Sequence, residues 1–502
     1  MDFFTSLLCI FFTWALLLQP LLSFARRSKS ITGKLPPGPA PLPVVGNLLK
    51  LGSKPHRSLT DLSRLHGPIM TLQLGRLTTI VISSAEMAEE VLHKQDLTFS
   101  SRTIPDAVHA LRHHQVSMVW LPVSPRWRNL RKICNTHLFT PQRLDATQSL
   151  RQQKVAELLD EVGERCRAGR GVEIALVVFK TALNFLSNTV FSVDLADSNN
   201  SDTIQEFKEE MRMLVDEVAK PNLVDYFPVL RKIDPQGIRR RTSANFQKVI
   251  GVFDSMIEQR VQLREMNGRG RSNDMLDILL NISEDGGSEG IDRTDILHLL
   301  LDLFLAGTDT TSATIEWAMA ELLHNPLRLS KVQVELRQII KKGHLMEEAD
   351  ITRLPYLQVI VKETFRLHPT APLLLPHKAQ TEVDVCGFQV PKGAQVLVNV
   401  WAIGRDPKTW ARSNSFEPER FLGSDMDVKG RNFQLIPFGA GRRICPGLPL
   451  GNKMIHLMLG SLLHAFDWKL EEGIEPEDMI MEDKFGITLQ MAQPLHAFPV
   501  SV

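Results

Sequence analysis

The chain opens on an apolar run from Phe3 to Phe24, interrupted by Thr5, Ser6, Thr13, Gln19, Pro20 and Ser23. About 20 apolar residues are enough to cross the hydrocarbon core as a helix. Only Asp2 precedes the run, whereas Arg26, Arg27, Lys29 and Lys34 follow it. That is the reverse of a cleavable signal. Basic residues on the C-terminal side predict one transmembrane anchor over residues 1–25, with the rest of the chain cytosolic. Residues 26–45 read as a basic, proline-rich hinge. Its five prolines, at 36, 37, 39, 41 and 43, favour extended backbone. A stiff spacer and an ordinary loop leading into the first strand are both open readings. Residues 46–502 form the main body.

Within that body, apolar residues alternate over 69–73 and 78–83, which predicts a hairpin turning at Gly75-Arg76. Helical periodicity runs from Ser84 to Leu92, then over 125–139, 141–168, 172–192, 202–219, 236–265, 274–283, 292–324, 326–341 and 355–367. A last long helix is expected from Pro446 to Phe466, strands at 383–390 and 395–400, and surface loops at 194–201 and 284–290. The expected class is therefore mainly α, with small β-sheets near both ends.

Composition narrows the function. Lys and Arg number 58 against 57 Asp and Glu, a net charge of +1, which argues against broad nucleic-acid binding. The five cysteines are odd in number and form no C-x-x-C pair, so a reducing compartment is the simpler expectation.

Four motifs carry chemistry. Residues 437–447 read PFGAGRRICPG. The glycines free the backbone to approach a flat ligand, and Pro446 suits the first turn of a helix whose N–H groups would favour a Cys445 thiolate. A lone cysteine is more often a small buried hydrophobe. Residues 306–311, AGTDTT, interrupt a long apolar helical pattern. Leu303, Ala306 or Gly307, Thr310 and Thr314 would share a face. Gly307 would make room for a small ligand, Thr310 would bond back to a carbonyl or hold water, and Asp309 would relay protons. A Thr/Asp cap between two separate helices is the plainer alternative. In KETFRLHP, residues 362–369, Glu363 and Arg366 share a helix face, as a surface pair or as part of a buried one. Trp127 and Arg131 stand four apart, so they stack on a helix surface or reach one ligand group together.

Together these motifs resemble the cytochrome P-450 family. Phe438, Gly441, Arg443, Cys445 and Gly447 match its F-x-x-G-x-R-x-C-x-G signature at each fixed position. AGTDTT is similar to its A/G-G-x-D/E-T-T/S motif, and E-x-x-R, W-x-x-x-R and Pro418-Glu-Arg-Phe421 follow the family order. The resemblance implies the cytochrome P-450 fold and haem b with Cys445 as axial iron ligand. It also implies Asp309 and Thr310 as the groups that bring protons to bound O2. Trp127, Arg131, His377, Phe438, Arg442 and Arg443 would lie at the cofactor, the basic ones beside its propionates. Glu363, Arg366 and Arg420 would form a buried network.

No flavin- or nicotinamide-binding G-x-G-x-x-G segment is present, so electrons would come from a separate NADPH–cytochrome P-450 reductase. Arg128, Lys132, Lys429, Arg431 and Arg442 are candidates for docking it. The implied setting is the endoplasmic reticulum membrane, with membrane lipid around the anchor. More narrowly, HGPIMTLQLG, WLPVSPRWRNLRKIC, LLLPHKA and EDKFGITLQ resemble the plant terpenoid-oxidising branch that includes geraniol hydroxylases. A lipophilic, terpenoid-like substrate is expected. An oxygen-independent peroxide isomerase or dehydratase, and a haem or ligand carrier without turnover, are the alternatives. Thr370 departs from the proline that relatives commonly carry after His-Pro.

Overall fold

The computed structural model describes residues 34–196, 210–211, 213–267, 274–285 and 290–502. The expected anchor lies outside these residues, with the first part of the hinge, most of the 194–201 loop and parts of 202–219 and 284–290. From Pro37 onward the proline segment is bound to the body: its carbonyl accepts the Thr71 N–H at 2.8 Å. There the loop reading holds.

Helix α1, Pro55–His66, starts on a proline and leads into strands β1, Ile69–Leu74, and β2, Leu77–Ile82. The hairpin pairs Ile69 with Ile82 and Leu74 with Leu77, close to the expected register. Strand β3, Ser101–Arg102, and helix α2, Pro125–His137, follow. Helix α3 covers Ile174–Phe191 and α4 covers Arg293–His324, with α5 at Pro355–Leu367. Strands β4, His377–Lys378, and β5, Gln395–Val398, complete a sheet in the order β1-β2-β5-β4-β3. In it β2 and β5 run parallel and the other pairs antiparallel. Helix α6 spans Leu448–Ala465, and the short strands β6, Asp483–Lys484, and β7, Gln490–Met491, pair near the C-terminus.

Some boundaries differ from expectation. The helix after β2 covers only Ala85–Glu89 and then widens through Glu90–Lys94. Residues 383–390 fold as two strands, Val383–Val385 and Phe388–Val390, around positive-φ Cys386 and Gly387. Helix α6 begins at Leu448 rather than Pro446, with Pro449 in its first turn. Helix α3 is the one described helix long and apolar enough to cross a membrane, but it packs in the core against α4.

Helix α4 organises the core. Asp292 and Asp295 cap it reciprocally, so Arg293–His324 is one helix and the two-helix alternative is excluded. Its first half, Ile296 to Phe304, packs with α2 and α3, and its second half, Ile315 to Leu323, packs with α5 and α6. The seam between the two clusters is the AGTDTT segment.

Candidate active site

The cysteine loop is closed by one bond: the Cys445 N–H donates to the Phe438 carbonyl at 2.9 Å. Gly441, at φ +64°, could carry no side chain, because a Cβ there would lie 1.8 Å from the Leu92 carbonyl oxygen. The Phe438 ring meets Phe365 of α5 edge-on at 5.2 Å. The Cys445 sulfur accepts backbone N–H groups from Gly447 and Leu448 at the start of α6. Burial in the protein raises its pKa, while these N–H groups and the Arg131 charge act in the opposite direction. Although many protein atoms surround it, Cys445 keeps an exposed surface.

A second accessible strip lies on α4. Ala306 is exposed between buried Phe304 and Thr308, and Thr310, one turn on, is half-buried. The Thr310 hydroxyl donates to the Ala306 carbonyl at 2.7 Å, and Thr308, Thr311 and Thr314 make the same four-residue back-bond. Gly307 does not belong to this strip. A Cβ there would meet Leu186 of α3 at 2.8 Å, so the glycine admits a neighbouring helix, not a small ligand. Asp309 accepts the Gln490 amide on Oδ1 at 2.7 Å.

Three guanidiniums gather beside the loop. Arg443 donates to the carbonyls of Ser100 (2.8 Å), Met118 (3.4 Å) and Leu121, and Arg131 donates to the Ile444 carbonyl at 2.5 Å. Arg102 donates to the Leu375 carbonyl at 2.7 Å, and its buried Nε has no partner among the described residues. Among the described residues, none of the three meets a carboxylate. Burial and the Arg443 charge lower the Arg102 pKa to about 9; burial and Arg131 lower that of Arg443 to about 10. An anion placed among them would relieve both effects.

Three expected cofactor contacts take a different form. The Trp127 indole N–H donates to the Met118 carbonyl at 3.0 Å, because segment 116–121 folds over the start of α2. The ring instead lies 4.6 Å from the Arg443 guanidinium, as its stacking base. His377 is buried: its Nδ1 bonds the Phe99 carbonyl at 2.6 Å, and burial and then Arg102 press its pKa well below the usual value. Arg442 points outward to Asp96 at 3.3 Å, leaving the inward position to Arg443. Arg102 escaped the sequence reading altogether. It reaches the cluster by pairing with His377 across β3 and β4, a contact with no local sequence pattern.

The E-x-x-R network has the expected buried form. Arg366 forks onto both Glu363 oxygens at 2.7 Å, and Arg420 reaches Glu363 Oε1 at 3.1 Å. Glu363 is fully buried and also takes the Glu417 N–H at 2.6 Å.

Among the described residues no three His, Cys, Asp or Glu side chains gather to hold a bare metal ion. An exposed cysteine, an apolar helix seam and three guanidiniums without counter-charge suit instead a flat iron porphyrin with anionic side chains. Fold and site together define a haem-thiolate protein. The cytochrome P-450 family model matches residues 36–496, and this chain belongs to that family. It is 54% identical over 496 residues to the geraniol 8-hydroxylase of Swertia mussotii, covering 99% of this chain and 98% of the relative. It is 50% identical to the drimenol monooxygenase of Persicaria hydropiper (100% and 98% covered) and 51% identical to the 7-ethoxycoumarin O-deethylase of Helianthus tuberosus (93% and 94%). The chain is thus a monooxygenase that binds haem b through a cysteine thiolate, uses O2 and takes electrons from a reductase.

Proposed function

We propose that Cys445 supplies the thiolate and that the protein hydroxylates a lipophilic terpenoid alcohol of the geraniol type. Bound through sulfur, the haem supplies a redox centre at which one atom of O2 is inserted into a C–H bond and the other leaves as water. Arg102, Arg131 and Arg443 hold the propionates by charge-assisted hydrogen bonds, with Trp127 as the base under Arg443 and His377 as a neutral bracket for β4. Phe438 closes the cysteine loop against α5. On α4 the Asp309 carboxylate takes protons from solvent. The Thr310 hydroxyl, now bonded to the Ala306 carbonyl, turns to pass them inward. Leu303, Ala306, Leu373 and Phe485 offer the substrate an apolar wall.

The electron donor is the NADPH-dependent flavoprotein reductase of the same membrane. It is drawn by exposed Arg128, Lys132, Lys429 and Arg431 on the side of the cysteine loop. Residues 1–25 anchor the chain in the endoplasmic reticulum, with 46–502 as the cytosolic catalytic domain.

The observation that carries this reading is the exposed Cys445 beside guanidiniums that lack a counter-charge. Cys445→Ser tests it: the variant should lose the thiolate signature of the reduced carbon-monoxide spectrum and all product from geraniol, NADPH and reductase. An unchanged spectrum with undiminished product would overturn it. A panel of terpenoids and 7-ethoxycoumarin in the same assay ranks the substrates.

A further inference from the structure

Among the ties that hold the segment from Glu482 to Leu495 to the body, those at Asp483, Leu489 and Leu495 fix its backbone and its ends. Asp483, on β6, accepts from His56 at 2.9 Å and Arg57 at 3.0 Å, both on α1, and pairs with Lys54 at 3.1 Å. Leu489 donates its N–H to the Thr370 carbonyl at 2.8 Å, and its own carbonyl accepts the Trp317 indole N–H at 3.3 Å. Leu495 donates its N–H to Glu316 of α4 at 2.9 Å. Between the last two ties stands Gln490, paired across the strands with Lys484, and its Nε2 donates to Asp309 Oδ1 at 2.7 Å.

From this arrangement we infer that Gln490 is a positioning residue for the monooxygenase reaction: it fixes the Asp309 carboxylate in the orientation that passes protons inward. The inference rests on the proton-relay reading of Asp309 given above. A carboxylate turns easily about its last torsion, so its position on the helix does not by itself aim its oxygens. An N–H bonded to Oδ1 selects one rotamer of the carboxylate. The donor's neutrality matters. A lysine or arginine there would bind the carboxylate as an ion pair and hold it from the proton path, whereas an amide aims it without cancelling its charge. Because the backbone of 489–495 is held by Thr370, Trp317 and Glu316, Gln490 presents its amide from a fixed support. Changing that side chain leaves the support in place.

The test compares the full chain with Gln490→Leu and Asp309→Asn, each with reductase, NADPH and geraniol. Product formed per NADPH, hydrogen peroxide released, KM and the solvent isotope effect on product formation are measured. Gln490→Leu should load haem and give the wild-type reduced carbon-monoxide spectrum and KM. Its product per NADPH should fall roughly ten-fold, as expected for losing a hydrogen bond to a charged group, with peroxide rising and the isotope effect changed. A purely structural role for Gln490 would leave the isotope effect and the peroxide yield alone. If Asp309→Asn is impaired while Gln490→Leu couples like wild type, the positioning role is overturned and the relay stands. If Asp309→Asn itself couples like wild type, the relay fails and the positioning role with it.

Discussion

Two sets of arginines lie deep in this protein, and their surroundings are opposite. Arg366 and Arg420 converge on Glu363, Arg420 also reaches Glu417 Oε2 at 3.4 Å, and their other N–H groups go to carbonyls of Gly404, Ser413, Ser415 and Ala411. Among the described residues Arg102, Arg131 and Arg443 donate to carbonyls and pair with no carboxylate. A buried charge costs several kcal/mol unless an opposite charge and hydrogen bonds offset it. The polypeptide completes the first set by itself, so that set serves the scaffold. Among the described residues the second set has no carboxylate partner, which is why we propose it as the place where the anionic groups of the cofactor bind.

The largest effect should come from damaging the complete set. Glu363→Ala leaves buried Arg366 with carbonyls alone and Arg420 with Glu417 as its remaining carboxylate, a change of about 3–5 kcal/mol. The expected outcome is little soluble, haem-loaded protein, read as haem per polypeptide in the membrane fraction. A variant that loads haem normally would erase the distinction between the two sets. A smaller and different effect is expected from the incomplete set. Arg102→Leu removes a cation that no carboxylate balances, so expression and helix content should stay at wild-type levels. Haem should nevertheless leave about ten-fold faster, the size of one lost charge-assisted contact, in transfer to an excess of a competing apo-protein. Equal loss of folded protein in both variants would mean that Arg102 belongs to the scaffold after all.

How much of this could be read from sequence follows from how local each relation is. The cysteine loop, the AGTDTT segment and Glu363-x-x-Arg366 lie within one or a few turns of chain, and their geometry follows from helical spacing and tight-turn glycines. Where the sequence reading went astray, the deciding partner was distant. Gly307 shares the motif with Ala306, but one residue is about 100° around the helix, enough to point it at Leu186. Arg442 and Arg443 are adjacent and both basic, and only the position of Asp96 settles which turns outward. Trp127 has the expected spacing from Arg131, yet its N–H is claimed by Met118, on a segment with no periodic signal. Arg102 and Gln490 became visible only when strand pairing brought them to His377 and α4.

The comparison extends to a buried anion, where the effect should depend on pH. Glu316 lies on α4 with 3% of its surface exposed, and among the described residues no cation pairs with it. Burial lifts its pKa to about 7, against the pull of the Leu495 and Met491 N–H groups and with added repulsion from Glu173 and Asp309. The sign follows from which state loses its proton first. Unfolded, the group ionises near its ordinary value of 4.5, while in the folded protein it stays protonated until about 7. Folding stability from this residue is therefore intact at pH 4, declines as pH rises towards 7, and remains reduced above that. A glutamine side chain at this position would keep the size and the acceptor oxygen for Leu495 and abolish the titration. Glu316→Gln should match wild type in thermal melts of the haem-loaded protein at pH 4 and exceed it by about 3 kcal/mol at pH 8. A difference that does not grow with pH would show that the two N–H groups alone sustain the ionised carboxylate. The rule that uncompensated charge marks an incomplete site would then hold for the guanidiniums and not for this acid.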